Sequence, residues 1–237
     1  MKLSVIIPAY NEAERLPSTL EEAYDWLSDN LENDFEIIVV DDGSSDTTVD
    51  KTNAMITTHP YLKILVQPKN RGKGAAVKRG MLEASGDVRL FMDADHSTHI
   101  REAAKVLTAI ERGAEVVIAS RQHEDSDISV SQSWLREHMG KSFNFIMRSI
   151  VGLKMEDTQC GFKAFTAKAA EEIFSRQKLD GFSFDVELLF LASKLGYTVS
   201  EIPVEWINEP NSRVRMIADP ILMFADVVQI RRLHKDL

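Results

Sequence analysis

The sequence predicts an α/β fold: a mainly parallel sheet with helices on both faces, in a single domain spanning residues 1–237. Two observations carry this. Short apolar, largely β-branched runs alternate with amphipathic helical patterns through the first half, as expected of parallel strands joined by helical crossovers. Each of these runs also stops abruptly in polar residues, as strands buried on both faces do where they emerge at a sheet edge.

Taken in order, the strand runs are Leu3–Pro8, Phe35–Val40, Leu62–Val66, Val88–Met92 and Val116–Ala119. Between them lie helical patterns at Leu16–Leu31, Asp46–Thr57, Gly74–Ala84 and Ile100–Arg112. The second half reads differently. Gln122–Ser133 is polar, rich in Ser and Asp, and without period, which predicts a loop. Trp134–Val151 is a helical stretch with Trp134, Met139, Phe143, Ile146, Met147 and Ile150 on roughly one face. A strand at Gly161–Phe165, helices at Ala167–Phe174 and Phe184–Leu195, a strand at Val199–Trp206 and an amphipathic helix at Pro220–Leu233 complete the chain. No internal repeat or linker interrupts it.

Composition narrows the function. With 237 residues and 44% hydrophobic content the chain can bury a substantial core. A net charge of -9 speaks against nucleic acid as a partner, which calls for a basic face. The single cysteine, Cys160, excludes an internal disulfide and suits a reducing compartment. The opening MKLSVIIPAYNE turns polar too soon for a signal peptide. No stretch approaches the ~18–20 apolar residues of a spanning helix. The expectation is a soluble or peripheral protein.

Three acidic or polar segments follow strands and so converge on one sheet edge. Asp93-Ala94-Asp95 places two carboxylates after a buried strand, and hard divalent cations such as Mg²⁺ or Mn²⁺ bind through carboxylate oxygens shared with substrate phosphates. A solvated turn with capping aspartates has the same composition. Asp41-Asp42-Gly43-Ser44-Ser45-Asp46 offers carboxylates to a base N–H or ribose hydroxyls, with Asp46 also suited to capping the next helix. Pro8-Ala9-Tyr10-Asn11-Glu12 offers Tyr10 to a nucleobase and Glu12 to the ribose or base; a plain strand end reads equally well. Lys69–Gly74, with Lys73, is basic and precedes a helix, but lacks the spacing of a phosphate-cradling loop, so a supporting role near a nucleotide is predicted. Arg121 after Val116–Ala119 can clamp a diphosphate. Asp157, Lys163, Arg213 and Arg215 are further charges whose proximity spacing alone does not fix.

The ordered set VIIPAYNE, EIIVVDDGSSD, NRGKGAAVKRG and FMDADHS resembles the inverting GT-A glycosyltransferases. DTQCGFKAF, FSFDVELLFLASKLGY and EIPVEW extend the resemblance to polyprenyl-phosphate sugar synthases, most of all the dolichyl-phosphate glucosyltransferases and less well the mannose synthases. The resemblance implies that Pro8, Tyr10, Glu12 and one of Asp41 or Asp42 hold the nucleoside, and that Asp93 and Asp95 hold the metal and diphosphate. It further implies that Arg121 meets donor phosphate, and that Asp157, Lys163 and Arg213 face the acceptor phosphate. It divides the chain into a nucleotide-sugar half, residues 1–121, and an acceptor half, residues 122–237. Two departures stand out. Eukaryotic members of the family carry a membrane segment that this sequence does not show. Ser97 also replaces the longer metal-binding side chain of some relatives.

The implied reaction is an in-line displacement in which a lipid phosphate attacks the anomeric carbon of UDP-glucose, or of GDP-mannose, with inversion. A phosphate monoester, with a second pKa near ~6, needs little help from a base. A sugar-hydroxyl acceptor, as in cell-surface polysaccharide synthesis, would require a positioned carboxylate, Asp157 first among the candidates. The implied location is cytoplasmic and peripheral at the membrane. The Trp134–Val151 and terminal helices are candidates to lie on the bilayer, core packing being the other reading. A sugar nucleotidyltransferase is disfavoured because Pro8–Glu12 is not a glycine-rich loop. A non-catalytic nucleotide-sugar-binding module would not need paired carboxylates.

Overall fold

A computed structural model describes residues 1–128, 148–207 and 218–237. Seven strands form one sheet in the order β3-β2-β1-β4-β7-β5-β8. They are β1 (Leu3–Ala9), β2 (Phe35–Asp41), β3 (Leu62–Val66), β4 (Val88–Met92), β5 (Val116–Ser120), β7 (Phe162–Thr166) and β8 (Val199–Pro203). A two-stranded ribbon pairs β6 (Asp127–Ile128) with β9 (Glu205–Trp206). The helices are α1 (Leu16–Leu31), α2 (Thr48–Ile56), α3 (Lys73–Glu83), α4 (Ala103–Glu111), α5 (Ala167–Arg176), α6 (Phe184–Leu195) and α7 (Ala218–Leu233).

The period of two along each strand divides the core. Val5, Ile7, Ile37 and Val39 face α1 and α4, whereas Ile6, Ile38, Val40 and Phe91 face α3, α5 and α6. Every residue of β2 is buried, which explains why it reads as an unbroken apolar run. β1 pairs in parallel with β2 on one side and β4 on the other. The chain winds outward from β1 to β3 and then returns to β4, so the strand order reverses between β1 and β4. The carboxyl ends there are the usual ligand crevice of such sheets.

β7 runs antiparallel to both β4 and β5, with Met92 opposite Phe162 and Ile118 opposite Lys163. Its amino end therefore lies at the same edge as the carboxyl ends of β1, β2, β4 and β5. This is how residues 157–163 reach the crevice.

Several predicted boundaries moved. The pattern at Ile100–Arg112 begins with a 3₁₀ turn, Ile100–Glu102. The strand expected over Val199–Trp206 is interrupted at Val204, where the chain leaves the main sheet to pair with β6. β6 itself lies in the stretch read as a loop. It is two residues long, too short for a period. The helix predicted at Trp134–Val151 lies almost wholly outside the described residues, as do Arg213 and Arg215.

Candidate active site

The end of β2 holds two aspartates with different tasks. Asp42 is saturated: Oδ1 accepts from Gln67 Nε2 (2.7 Å) and Arg71 N (2.8 Å), and Oδ2 from Gly72 N (2.8 Å). It thereby fixes the loop leading to Lys73. Burial raises its pKa, against the lowering effect of these donors. Asp41 Oδ2 accepts from Gly43 N and Ser44 N at 3.0 and 3.1 Å, while Oδ1 is buried with no hydrogen-bond partner among the described residues. Gly43 has φ +73°, and a Cβ there would lie 2.6 Å from the Lys69 carbonyl carbon, so the turn requires glycine.

The end of β1 is stitched to this turn. Asn11, at φ +54°, accepts from Ser45 N (2.8 Å) through Oδ1, and its own N–H donates to Ser44 Oγ (2.8 Å). Glu12 is buried and forms a two-point ion pair with Arg15, both contacts at 2.7 Å. Pro8 pairs with Val40 inside the sheet, and Tyr10 is exposed.

Asp93, at the end of β4, meets the Lys73 ammonium at 2.6 Å. Burial alone would lower the Lys73 pKa; Asp93, with Asp185 and Asp95, raises it, so the lysine stays cationic. Ala94 is buried and its carbonyl accepts from Thr19 Oγ1 (2.8 Å), anchoring the motif to α1. Asp95 Oδ1 accepts from Ser97 N (3.1 Å). Position 97 thus contributes its backbone to the motif.

The antiparallel strand brings the second half in. Gly161 lies against Asp93: a Cβ at 161 would fall 2.0 Å from Asp93 Oδ2. Arg121, after β5, forms a two-point pair with Asp157 through Nε–Oδ2 (2.7 Å) and Nη2–Oδ1 (2.9 Å), and its N–H also donates to Oδ2 (3.0 Å). Burial would raise the Asp157 pKa, but Arg121 dominates and holds it at about 2. The guanidinium lies 5.5 Å from the Trp206 ring centroid and feels the charge of Asp93. Lys163, expected to face an acceptor phosphate, is instead fully buried and pairs with Asp185 at the start of α6 (2.5 Å), because the antiparallel strand turns its side chain into the core. Asp93, Lys73, Asp185 and Lys163 thus form a line of alternating charge running from the crevice into the core.

Sequence reasoning missed Asp185, Gly161 and Trp206. Asp185 left a signal, an acidic residue at the head of the apolar run FDVELLF. Gly161 and Trp206 left none, because their importance comes from pairing between distant segments.

A sheet that reverses at β1/β4, with carboxylates on three strand ends and cations facing them, defines a GT-A glycosyltransferase fold. The chain belongs to glycosyl transferase family 2, whose profile matches residues 4–174, and it is a glycosyltransferase. It is 38% identical to a dolichyl-phosphate beta-glucosyltransferase of Dictyostelium discoideum, over 97% of this chain and 73% of that protein. It is 40% identical to dolichyl-phosphate beta-glucosyltransferase ALG5C of Trichomonas vaginalis, over 95% and 69% respectively. Among solved structures, glucosyl-3-phosphoglycerate synthase from Mycobacterium tuberculosis, in complex with Mn²⁺, UDP-glucose and phosphoglyceric acid, superposes with a TM-score of 0.70. The identity is 20%, covering 97% of this chain and 78% of that one.

Proposed function

We propose that this glycosyltransferase moves glucose from UDP-glucose onto the phosphate of a polyprenyl lipid of the dolichyl type, with inversion. The names of its relatives support the sugar and acceptor classes. The observation that carries the choice of acceptor is the state of Asp157. Its carboxylate is buried, gripped at two points by Arg121 and held at about 2, so it is a poor proton acceptor. A sugar hydroxyl would need a base in this position; a phosphate monoanion or dianion brings its own nucleophilic oxygen.

In this reading Asp157 is a positioning residue that aims Arg121 at donor phosphate. Asp41, whose buried Oδ1 has no hydrogen-bond partner among the described residues, is the candidate acceptor for the base N–H, and Tyr10 lies against the base. Pro8 and Glu12 shape that end of the cleft. Lys73, kept cationic by its neighbours, faces the diphosphate. Lys163 and Asp185 set the potential behind it, and Arg213 completes the acceptor-phosphate side. Asp93 and Asp95 present carboxylate oxygens of the kind that hard divalent cations bind, and they would hold Mg²⁺ or Mn²⁺. Bound there, the cation offsets charge on the departing diphosphate.

A nucleotide sugar is water-soluble and a polyprenyl phosphate lies in the bilayer, so in this reading the protein works at a membrane surface, on the cytoplasmic side that the family resemblance implies. No helix among the described residues is long and apolar enough to cross a membrane. On α7, Phe224 and Val228 are exposed one turn apart, and Arg231, Arg232 and Lys235 follow, so this short stretch is the candidate contact with an anionic interface. Phe224→Glu with Val228→Glu is expected to abolish co-sedimentation with anionic vesicles while leaving hydrolysis of UDP-glucose intact.

The deciding assay compares UDP-glucose with GDP-mannose, each with and without polyprenyl phosphate, Mg²⁺, Mn²⁺ or chelator. Expected is metal-dependent glucosyl transfer to the lipid phosphate. Mannosyl transfer would replace the donor assignment, and transfer undiminished by chelator would remove the metal from the scheme.

A further inference from the structure

Just beyond the Asp93-Ala94-Asp95 motif, two histidines converge on one carboxylate of α1. His96 Nδ1 lies 2.8 Å from Glu22 Oε2, and His99 Nδ1 lies 2.7 Å from Glu22 Oε1. All three ligand atoms fall within 4.8 Å of one another. The side chains are partly exposed, so a solvated ion can reach them.

Hydrogen-bond accounting indicates what this cluster wants. The Ser18 hydroxyl donates its proton to the Arg15 carbonyl (2.8 Å). It has no second proton, so at its contact with His96 Nε2 (3.2 Å) it must accept. With Nε2 engaged by Ser18, His96 Nδ1 faces the Glu22 carboxylate, a position where a proton or a metal cation can sit between nitrogen and oxygen. A ring nitrogen fixed by a hydrogen bond on its far side is how metal-binding imidazoles are oriented.

We propose that Glu22, His96 and His99 form a binding site for a borderline divalent transition metal, Zn²⁺ foremost, separate from the carboxylate pair Asp93/Asp95. Two imidazole nitrogens and one carboxylate suit zinc rather than magnesium. Bonds of ~2.0–2.1 Å in a tetrahedron place ligand atoms roughly 3.3 Å apart, so each present contact opens by about 0.5 Å to admit the ion. The fourth position is left to water. His96 sits at φ +59°, a conformation that non-glycine residues seldom adopt, between Asp95 and Ser97. Zinc at this point ties the carboxylate-bearing loop to α1 and fixes that backbone. This makes it a clamp on the active-site loop and not a participant in transfer. The inference is independent of the donor and acceptor proposed above, since its readout is metal binding.

The test uses chelator-treated protein titrated with Zn²⁺ by calorimetry, in the presence of millimolar Mg²⁺, and with Co²⁺ followed by visible absorption. Expected are one Zn²⁺ per chain undisplaced by Mg²⁺, a tetrahedral Co²⁺ spectrum, and a rise in Tm with Zn²⁺. His99→Ala and Glu22→Gln should each weaken binding at least tenfold, whereas Asp95→Asn should leave it unchanged. Absence of Zn²⁺ binding by the intact protein overturns the proposal. So does binding that survives both cluster substitutions, or binding that Asp95→Asn abolishes. If either cluster variant fails to fold, the Co²⁺ spectrum and Tm shift of the intact protein still decide.

Discussion

Asp41 and Asp42 are neighbours, both buried, and differ in what surrounds their oxygens. Three donors hold Asp42, and one buried oxygen of Asp41 has no hydrogen-bond partner among the described residues. Asp42→Ala is therefore expected to lower stability by roughly 1–3 kcal/mol, because two backbone N–H groups and Gln67 lose their acceptor. Asp41→Asn should keep Tm nearly unchanged but weaken UDP binding about tenfold, checked by calorimetry beside thermal melting. Gly161 makes a second residue-scale prediction. A methyl group there displaces the Asp93 carboxylate, and errors of about 1 Å cost on the order of a hundredfold in rate. Gly161→Ala should thus cut kcat with the circular dichroism spectrum preserved. From sequence, the pair Asp41/Asp42 was visible but its division of labour was not. That division depends on Gln67, Arg71 and Gly72, which approach from another loop.

Whole elements are held together by a buried carboxylate that takes no part in catalysis. Glu36 in β2 accepts from Ser4 Oγ of β1 (2.6 Å) and from Ser85 N (2.7 Å) and Oγ (2.8 Å) before β4, and pairs with Lys63 of β3 (2.7 Å). Burial alone would raise its pKa, but these donors outweigh it and hold it at about 2, against an ordinary 4.5. The folded value is the depressed one, so the stabilisation is complete above about 4.5 and is lost as pH falls toward 2. Screened by solvent at the exposed Lys63 end, its size is on the order of 1–3 kcal/mol. Asp157, held at about 2 against 3.8, adds to the loss in the same window. Glu36→Gln should flatten the acid limb of the stability curve measured by denaturant titration between pH 5 and 2 (roughly, the range these values define). Elements as such were legible. α1 and α6 have the bounds that the sequence gives, α1 from its one-sided apolar period and α6 from a continuous apolar run that Gly196 closes. The break at Val204 and the ribbon β6–β9 were not, since both arise where two distant segments pair.

Across the molecule, the chain's end is locked to its middle. Glu187 of α6 is fully buried, accepts from Lys178 N and Leu179 N at 2.9 and 2.8 Å, and meets His234 at 2.6 Å, just past the end of α7. Deleting residues 234–237 should lower stability by roughly 1–3 kcal/mol, measured by urea unfolding, because a buried acceptor loses a partner. At this scale the sequence order of motifs predicted the parallel half of the sheet well. It gave no sign that the fourth and fifth strands lie apart with a later, reversed one between them, since a short apolar run carries no direction.

That inserted strand has a consequence for how the protein is made. β5 reaches β4 only through β7, and its other neighbour, β8, comes later still. While the ribosome is adding residues 121–161, the nascent chain carries an open edge on β4 and an apolar β5 with nothing to pair against. The interval is the stage at which a growing chain is most prone to bind a chaperone or another copy of itself. The arrangement that carries the second half of the chain into the crevice also delays completion of the sheet until much of that half has emerged.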